Sequence, residues 1–194
     1  TRRRQRDLLS GDEVFGAGEI LMPTLISSTP LQDRNEGAAQ SITSFQGEYR
    51  WLSNFWPAPV SLDGVVYPSV EHAYQAAKTD PCLRAPFLTC TPGEAKRLGR
   101  FAPIRPEWER IKIQTMRDLI GQKFTAGMPL AEKLIATARR ELVEGNTWGD
   151  VFWGVCRGRG DNWLGRLLMA RRDHLIIANV TPQPHPESPK PEKT

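Results

Sequence analysis

The chain has 194 residues, 39% hydrophobic and 25% charged, a balance that fits one globular domain of ordinary size and excludes a disordered chain. No run approaches the ~18 consecutive apolar residues of a membrane-spanning helix, and the arginine-rich start leads into no apolar segment of a secretory signal. The formal net charge of +4 includes Arg2, Arg3, Arg4 and Arg6, so as a sign of a phosphate-bearing partner it is weak.

Cys82, Cys90 and Cys156 are odd in number and form no CxxC. They read as reduced thiols of a cytoplasmic protein rather than as a disulfide framework or zinc cage, and no metal or cofactor is expected. Residues 1–40 show no sustained apolar period and read as a loosely ordered arm, with Leu21–Ile26 available to dock. The polar, proline-rich stretch 179–194 reads as a disordered tail. The folded unit is expected over 41–178.

Within that unit, Asp63-Gly64 between two β-prone runs predicts a two-residue hairpin. Ser69 offers an N-cap oxygen to a helix reaching about Thr79, where Asp80-Pro81 stops it. Thr91-Pro-Gly-Glu94 is a capping box with proline at the first helical position. A long helix is expected from about Pro106, with Trp108, Ile111, Met116, Leu119, Ile120 and Phe124 at three- and four-residue steps. Two more are expected over 129–142 and 163–174. The predicted class is α+β, predominantly α-helical, with one small hairpin.

Three stretches carry residues suited to chemistry. On the first helix Glu71, Gln75 and Lys78 fall on one face, able to address one ligand, or else a solvated polar face. Glu71 also lies in the first turn, where the helix dipole alone favours a carboxylate; His72 reads most simply as a hydrogen-bonded structural histidine. Between 147 and 165, Gly149, Gly154, Gly158, Gly160 and Gly165 alternate with Trp148, Trp153 and Trp163. Glycines permit close approach to a ligand, tryptophans stack, and Arg157 and Arg159 can meet phosphate. Asn162 can cap the last helix, whose N-terminus suits an anion. A tight structural loop explains the same composition. Ser53 and Asn54 suit either a sugar or a turn, and Trp108 with Lys112 either a stacking-and-charge pair or one core and one surface residue.

Together these motifs resemble the NADAR (NAD and ADP-ribose) or YbiA-like family. Trp51-Leu-Ser-Asn-Phe is followed by Leu62-Asp-Gly-x-x-Tyr-Pro-Ser-Val-Glu-His-Ala-Tyr-Gln-Ala-x-Lys78. In the same order come Trp108-Glu-Arg-x-Lys, Met116, Lys123-Phe124, Asp150-x-Phe-Trp-Gly and Gly160-x-Asn-x-Leu-Gly-Arg-x-Leu-Met. The resemblance spans about 44–172. One departure comes just after Trp153-Gly154, where some members carry a further acid and this chain has Val155-Cys156.

The resemblance implies a compact, mainly helical YbiA-like domain and N-glycosidase activity on ribosylated bases. Some members act on phosphorylated intermediates of riboflavin synthesis, others remove ADP-ribose from guanine, including in DNA. It implies Glu71, Lys78 and Asp150 as catalytic residues. Ser53, Asn54, Phe55, His72, Gln75, Trp108, Lys112, Trp153, Gly154, Arg157, Arg159, Gly160 and Asn162 are the implied substrate contacts. Removal of ADP-ribose from guanine is the expected activity, the riboflavin-intermediate reaction its enzymatic alternative, and a non-catalytic ADP-ribose reader the alternative of another class.

Overall fold

The structure, a computed structural model, describes residues 40–180. The expected arm and tail fall almost wholly outside the described residues. All of the elements belong to the unit Gly37–Thr194.

A short 3-10 helix, Gly47–Leu52, leads to the expected hairpin of β1 (Val60–Leu62) and β2 (Val65–Tyr67). The strands pair antiparallel with Leu62 opposite Val65. Asp63 (φ 49°) and Gly64 (φ 80°) both adopt the left-handed conformation that a tight two-residue turn of this kind demands. The exposed Asp63 carboxylate also receives Arg84 Nη1 at 2.6 Å.

Helix α1 (Val70–Ala77) is the centre of the domain, and every one of its residues is buried. Ser69 stands at its N-cap in extended conformation but makes no capping bond. Instead its hydroxyl lies 2.7 Å from His72 Nδ1. Helix α2 (Pro92–Phe101) starts on the expected capping box, in which Thr91 and Glu94 bond each other's backbone amides. Helix α3 (Trp108–Lys123) buries Trp108, Met116, Leu119 and Ile120 of the periodic stripe read from sequence, with Ile111 half-buried and Phe124 buried just past the helix end.

Helix α4 (Pro129–Ala136) ends short of the expected Leu142. Ala138 turns left-handed (φ 51°), and Leu142 is drawn instead into a parallel bridge with Ile42. The chain then forms a second two-stranded pair that sequence did not predict, β3 (Gly145–Asn146) parallel to β4 (Val155–Cys156). Helix α5 (Trp163–Val180) runs past the expected His174. Its buried stripe Leu164, Leu167, Leu168, Arg172 and Leu175 keeps a three- to four-residue period. Arg171 donates from Nε and Nη2 to Phe124 O just past α3, and buried Arg172 donates from Nη1 to Thr137 Oγ1 and Arg140 O. Arg171 thus satisfies the carbonyl of the α3 C-cap residue, and Arg172 ties down the turn that follows α4.

Candidate active site

The Glu71–Gln75–Lys78 face of α1, joined by Tyr74, forms the floor of a cavity of ≈ 660 Å³. Glu71 is only 6% exposed, so this face is not a solvated surface. Glu71 Oε1 accepts a hydrogen bond from Gln75 Nε2 at 2.9 Å. Burial pushes the Glu71 carboxyl above its ordinary range, against the pull of that bond and of the Lys96 and Lys78 charges. Lys78 ends the helix half-buried, with Nζ 5.4 Å from the centre of the Tyr74 ring. Burial lowers its pKa, and the Glu71 carboxylate opposes the shift. Tyr74 is held between Trp108 and Trp153, ring centres 5.0 and 5.3 Å away.

The Glu71–Gln75 bond depends on a glycine of the neighbouring helix. A Cβ at Gly99 of α2 would overlap the Gln75 side chain, Oε1 first. Gly99→Ala gains up to ~1 kcal/mol of helix propensity but overpacks the contact at a cost of about 1–3 kcal/mol. The expected outcome is a lower melting temperature together with reduced turnover, because Gln75 must swing off Glu71. Calorimetry and initial rates on the one variant check both.

Further segments build the walls. The loop Ser53–Phe55 reaches α1 through Asn54 O, which accepts the Glu71 N–H at 3.0 Å. Ser53 Oγ accepts the Phe55 N–H, so its hydroxyl braces the turn while the residue lines the cavity. Behind it, the Lys123 amine of α3 donates to Leu52 O (3.3 Å) and Ser53 O (2.7 Å). Burial lowers Lys123 to about 7, with Glu144 opposing.

Between about pH 7 and 10.5 the unfolded chain therefore keeps a proton that the folded chain has released at Lys123. From this group, stability rises with pH across that window and is flat below it. Lys123→Met is expected to remove this slope, and to destabilise by about 1–3 kcal/mol as one buried and one partly buried carbonyl lose their donor. Urea unfolding at pH 7 and pH 9.5 measures both effects.

Helix α2 contributes Lys96 and Arg100, one turn apart, and Gly47–Leu52 contributes Arg50. Lys96 Nζ lies 4.8 Å from the Trp148 ring centre and 5.8 Å from that of Phe55. The last wall is the segment 144–153, with Glu144, Trp148, Asp150 and Trp153. Asp150 Oδ1 accepts the N–H groups of Phe152 (3.1 Å) and Trp153 (2.8 Å), so this carboxylate also shapes the loop that carries it. Among the described residues, no group of three or more His, Cys, Asp or Glu side chains is arranged to hold a metal ion.

Of the residues expected from sequence, the fold brings Ser53, Asn54, Phe55, Glu71, Gln75, Lys78, Asp150 and Trp153 together around the cavity. The others lie elsewhere. His72 points away: Cys90 O can only accept, so Nε2 carries the proton that binds it (2.8 Å), and Nδ1 accepts from Ser69 Oγ. Trp108 is a core residue behind Tyr74. Lys112 pairs with Glu109 (2.6 Å) and covers the Phe152 ring. Arg157 and Arg159 are exposed in a tight turn closed by backbone bonds between Cys156 and Arg159, with Arg157 and Gly158 both left-handed. Gly154 and Gly160 serve backbone packing, since a Cβ on either would strike a carbonyl, Glu144 O or Gly154 O. Asn162 spends its amide on Leu142 O (2.9 Å) and the Glu144 N–H (3.1 Å). Arg157 and Arg159 thus stand outside this cavity, whose cations are Arg50, Lys78, Lys96 and Arg100, while the start of α5 reaches it through Leu164.

A model of the NADAR domain family matches residues 43–176. The chain belongs to the NADAR domain family. It is 39% identical over 139 residues to N-glycosidase YbiA of Escherichia coli, covering 69% of this chain and 86% of that protein. An N-glycosidase of Nostoc punctiforme is 34% identical over 135 residues, with 66% and 86% covered. A riboflavin biosynthesis protein of Vibrio vulnificus is 36% identical over 131 residues, covering 64% of this chain but only 35% of that protein. The NMR structure of Escherichia coli YbiA superposes with a TM-score of 0.66 at 35% identity, over 78% of this chain and 95% of the other. Membership of this family of N-glycosidases makes the chain a hydrolase acting on N-glycosyl compounds. Among the described residues no helix is long and apolar enough to cross a membrane.

Proposed function

We propose that the NADAR domain chain hydrolyses the C1–N bond between ADP-ribose and guanine, in nucleotides or in DNA. The observation that carries this reading is a buried carboxylate, Glu71, at the floor of a cavity lined by Arg50, Lys78, Lys96 and Arg100. The volume of ≈ 660 Å³ falls within the range of small-molecule sites and suits an extended substrate with two phosphates. Arg50, Lys96 and Arg100 meet the phosphates, and the Trp148 and Trp153 faces offer surfaces for bases.

Breaking the bond builds positive charge at C1, and Glu71 and Asp150 stabilise it from the cavity wall, by analogy with the paired carboxylates of O-glycosidases. Burial keeps a neutral fraction of Lys78 available as a nucleophile. Its amine adds to C1 as the base departs with the bonding pair. The sugar ring opens to an imine, and water hydrolyses the imine to regenerate Lys78 and release ADP-ribose. Glu71 moves the protons between amine, sugar oxygen and water.

A second reading, cleavage of a phosphorylated riboflavin intermediate, draws support from the similarity to the Vibrio vulnificus protein. Incubation of the chain with ADP-ribosylated guanosine and, separately, with ribosylated riboflavin precursors decides between them by mass spectrometry. Faster release of ADP-ribose supports the first reading; preferential cleavage of the precursors overturns it.

A further inference from the structure

The cavity holds a further, half-buried glutamate, one that the proposed reaction leaves unused. Glu144 is fixed by its backbone on both sides: its N–H donates to Asn162 Oδ1 (3.1 Å), and its carbonyl accepts the Val155 N–H (2.9 Å). Gly154 packs directly against that carbonyl, where a side chain would not fit. The peptide is thus held at the β3–β4 pair, and the Glu144 side chain lines the same cavity as Glu71 and Lys78. Its Oε2 is buried and has no hydrogen-bond partner among the described residues.

The two glutamates differ in what surrounds them. Glu71 receives a donor from Gln75 and has Lys78 on its own helix. At Glu144, Lys96 of α2 and Lys123 of α3 favour the charged form, while Asp150 of the adjoining loop and Glu71 of α1 oppose it. Burial outweighs these, and the Glu144 carboxyl is pushed up to about 7. A proton on this carboxyl group removes the cost of a buried charge and gives the side chain that lines the cavity an O–H able to donate. Two carboxyl groups in different surroundings can divide acid and base work between them.

We infer that Glu144 is the general acid that protonates the base as it leaves C1. A purine or pyrimidine nitrogen leaves poorly as an anion. As the C1–N bond breaks, its electron pair takes the Glu144 proton and the base departs neutral. The group that adds to C1, the Lys78 amine or water, gives its proton to Glu71, and solvent returns a proton to Glu144. This inference rests on C1–N cleavage in this cavity, but not on which ribosylated base is the substrate.

The test is Glu144→Gln in the full chain, with Glu144→Asp beside it and kcat followed from pH 5 to 9 on whichever ribosylated base the wild type cleaves. The wild-type rate is expected to fall as pH rises through about 7, where the acid form of Glu144 is lost. Glu144→Gln is expected to lower kcat by ~100-fold or more, with little change in KM, and to lose that alkaline limb. Glu144→Asp, which keeps a titratable proton, is expected to recover part of the rate and to retain the limb. A Glu144→Gln rate within threefold of wild type, or a slower variant that keeps the wild-type limb, overturns the acid role alone. Absence of base release by the wild-type chain from every ribosylated substrate overturns the glycosidase reading and the acid role with it.

Discussion

Replacing Glu71 by Gln is expected to lower kcat by at least ~100-fold, the lower end of what general acid–base catalysis supplies, with little change in melting temperature. Glutamine has the same size and can still bond Gln75, so the helix packing survives while the titratable group is lost. The alternative is that Glu71 serves only the dipole of α1, being in its first turn. That role is worth typically 0.3–1 kcal/mol and concerns stability, not rate. Burial also argues against it, because a carboxylate kept only for the dipole gains nothing from a 6% exposed position with a raised pKa. A Glu71→Gln enzyme that turns over normally but melts lower returns Glu71 to the dipole role.

Lys78→Arg is expected to cost at least ~100-fold in kcat as well, and to abolish a covalent adduct that the wild type forms. Arginine keeps the charge and much of the reach but stays protonated at any accessible pH, so it cannot act as an amine nucleophile. In the wild type, borohydride added during turnover reduces the imine, and peptide mapping is expected to place the sugar on Lys78. If Lys78 only binds phosphate, Arg serves equally well. No adduct together with full Lys78→Arg activity removes the covalent step and leaves water as the nucleophile.

Much of the floor of the site is legible in the sequence because it is local. Glu71, Gln75 and Lys78 share a face by helical spacing alone, and Asp63-Gly64 and Thr91–Glu94 announce the hairpin and the start of α2 through their own backbone chemistry. The walls are not local. Lys96 and Arg100 show only as charges on a helix until Gly99 brings α2 close enough to touch Gln75.

Glu144 falls two residues beyond a stretch that reads as continuing α4. Only the left-handed turn at Ala138 and the parallel pairing with Val155 carry it into the cavity, and neither has a short-range signature. Arg157 and Arg159 mislead for the opposite reason. Their glycine neighbours suggest a phosphate loop, but the glycines serve a tight turn and a close backbone contact, and the arginines face solvent. The capping role assigned to Asn162 fails similarly, since its amide is consumed in tying the Leu142–Glu144 segment to the start of α5.

Hydrolysis of ADP-ribosylated guanosine in ¹⁸O-labelled water, with wild-type chain and Glu71→Gln side by side, tests C1–N cleavage at this site most directly. The expected result for the wild type is unmodified guanosine without label and intact ADP-ribose carrying the label in its sugar, with both products nearly absent from the Glu71→Gln reaction. Label on a phosphate, with AMP among the products, would contradict it by showing that the cavity cuts the pyrophosphate instead.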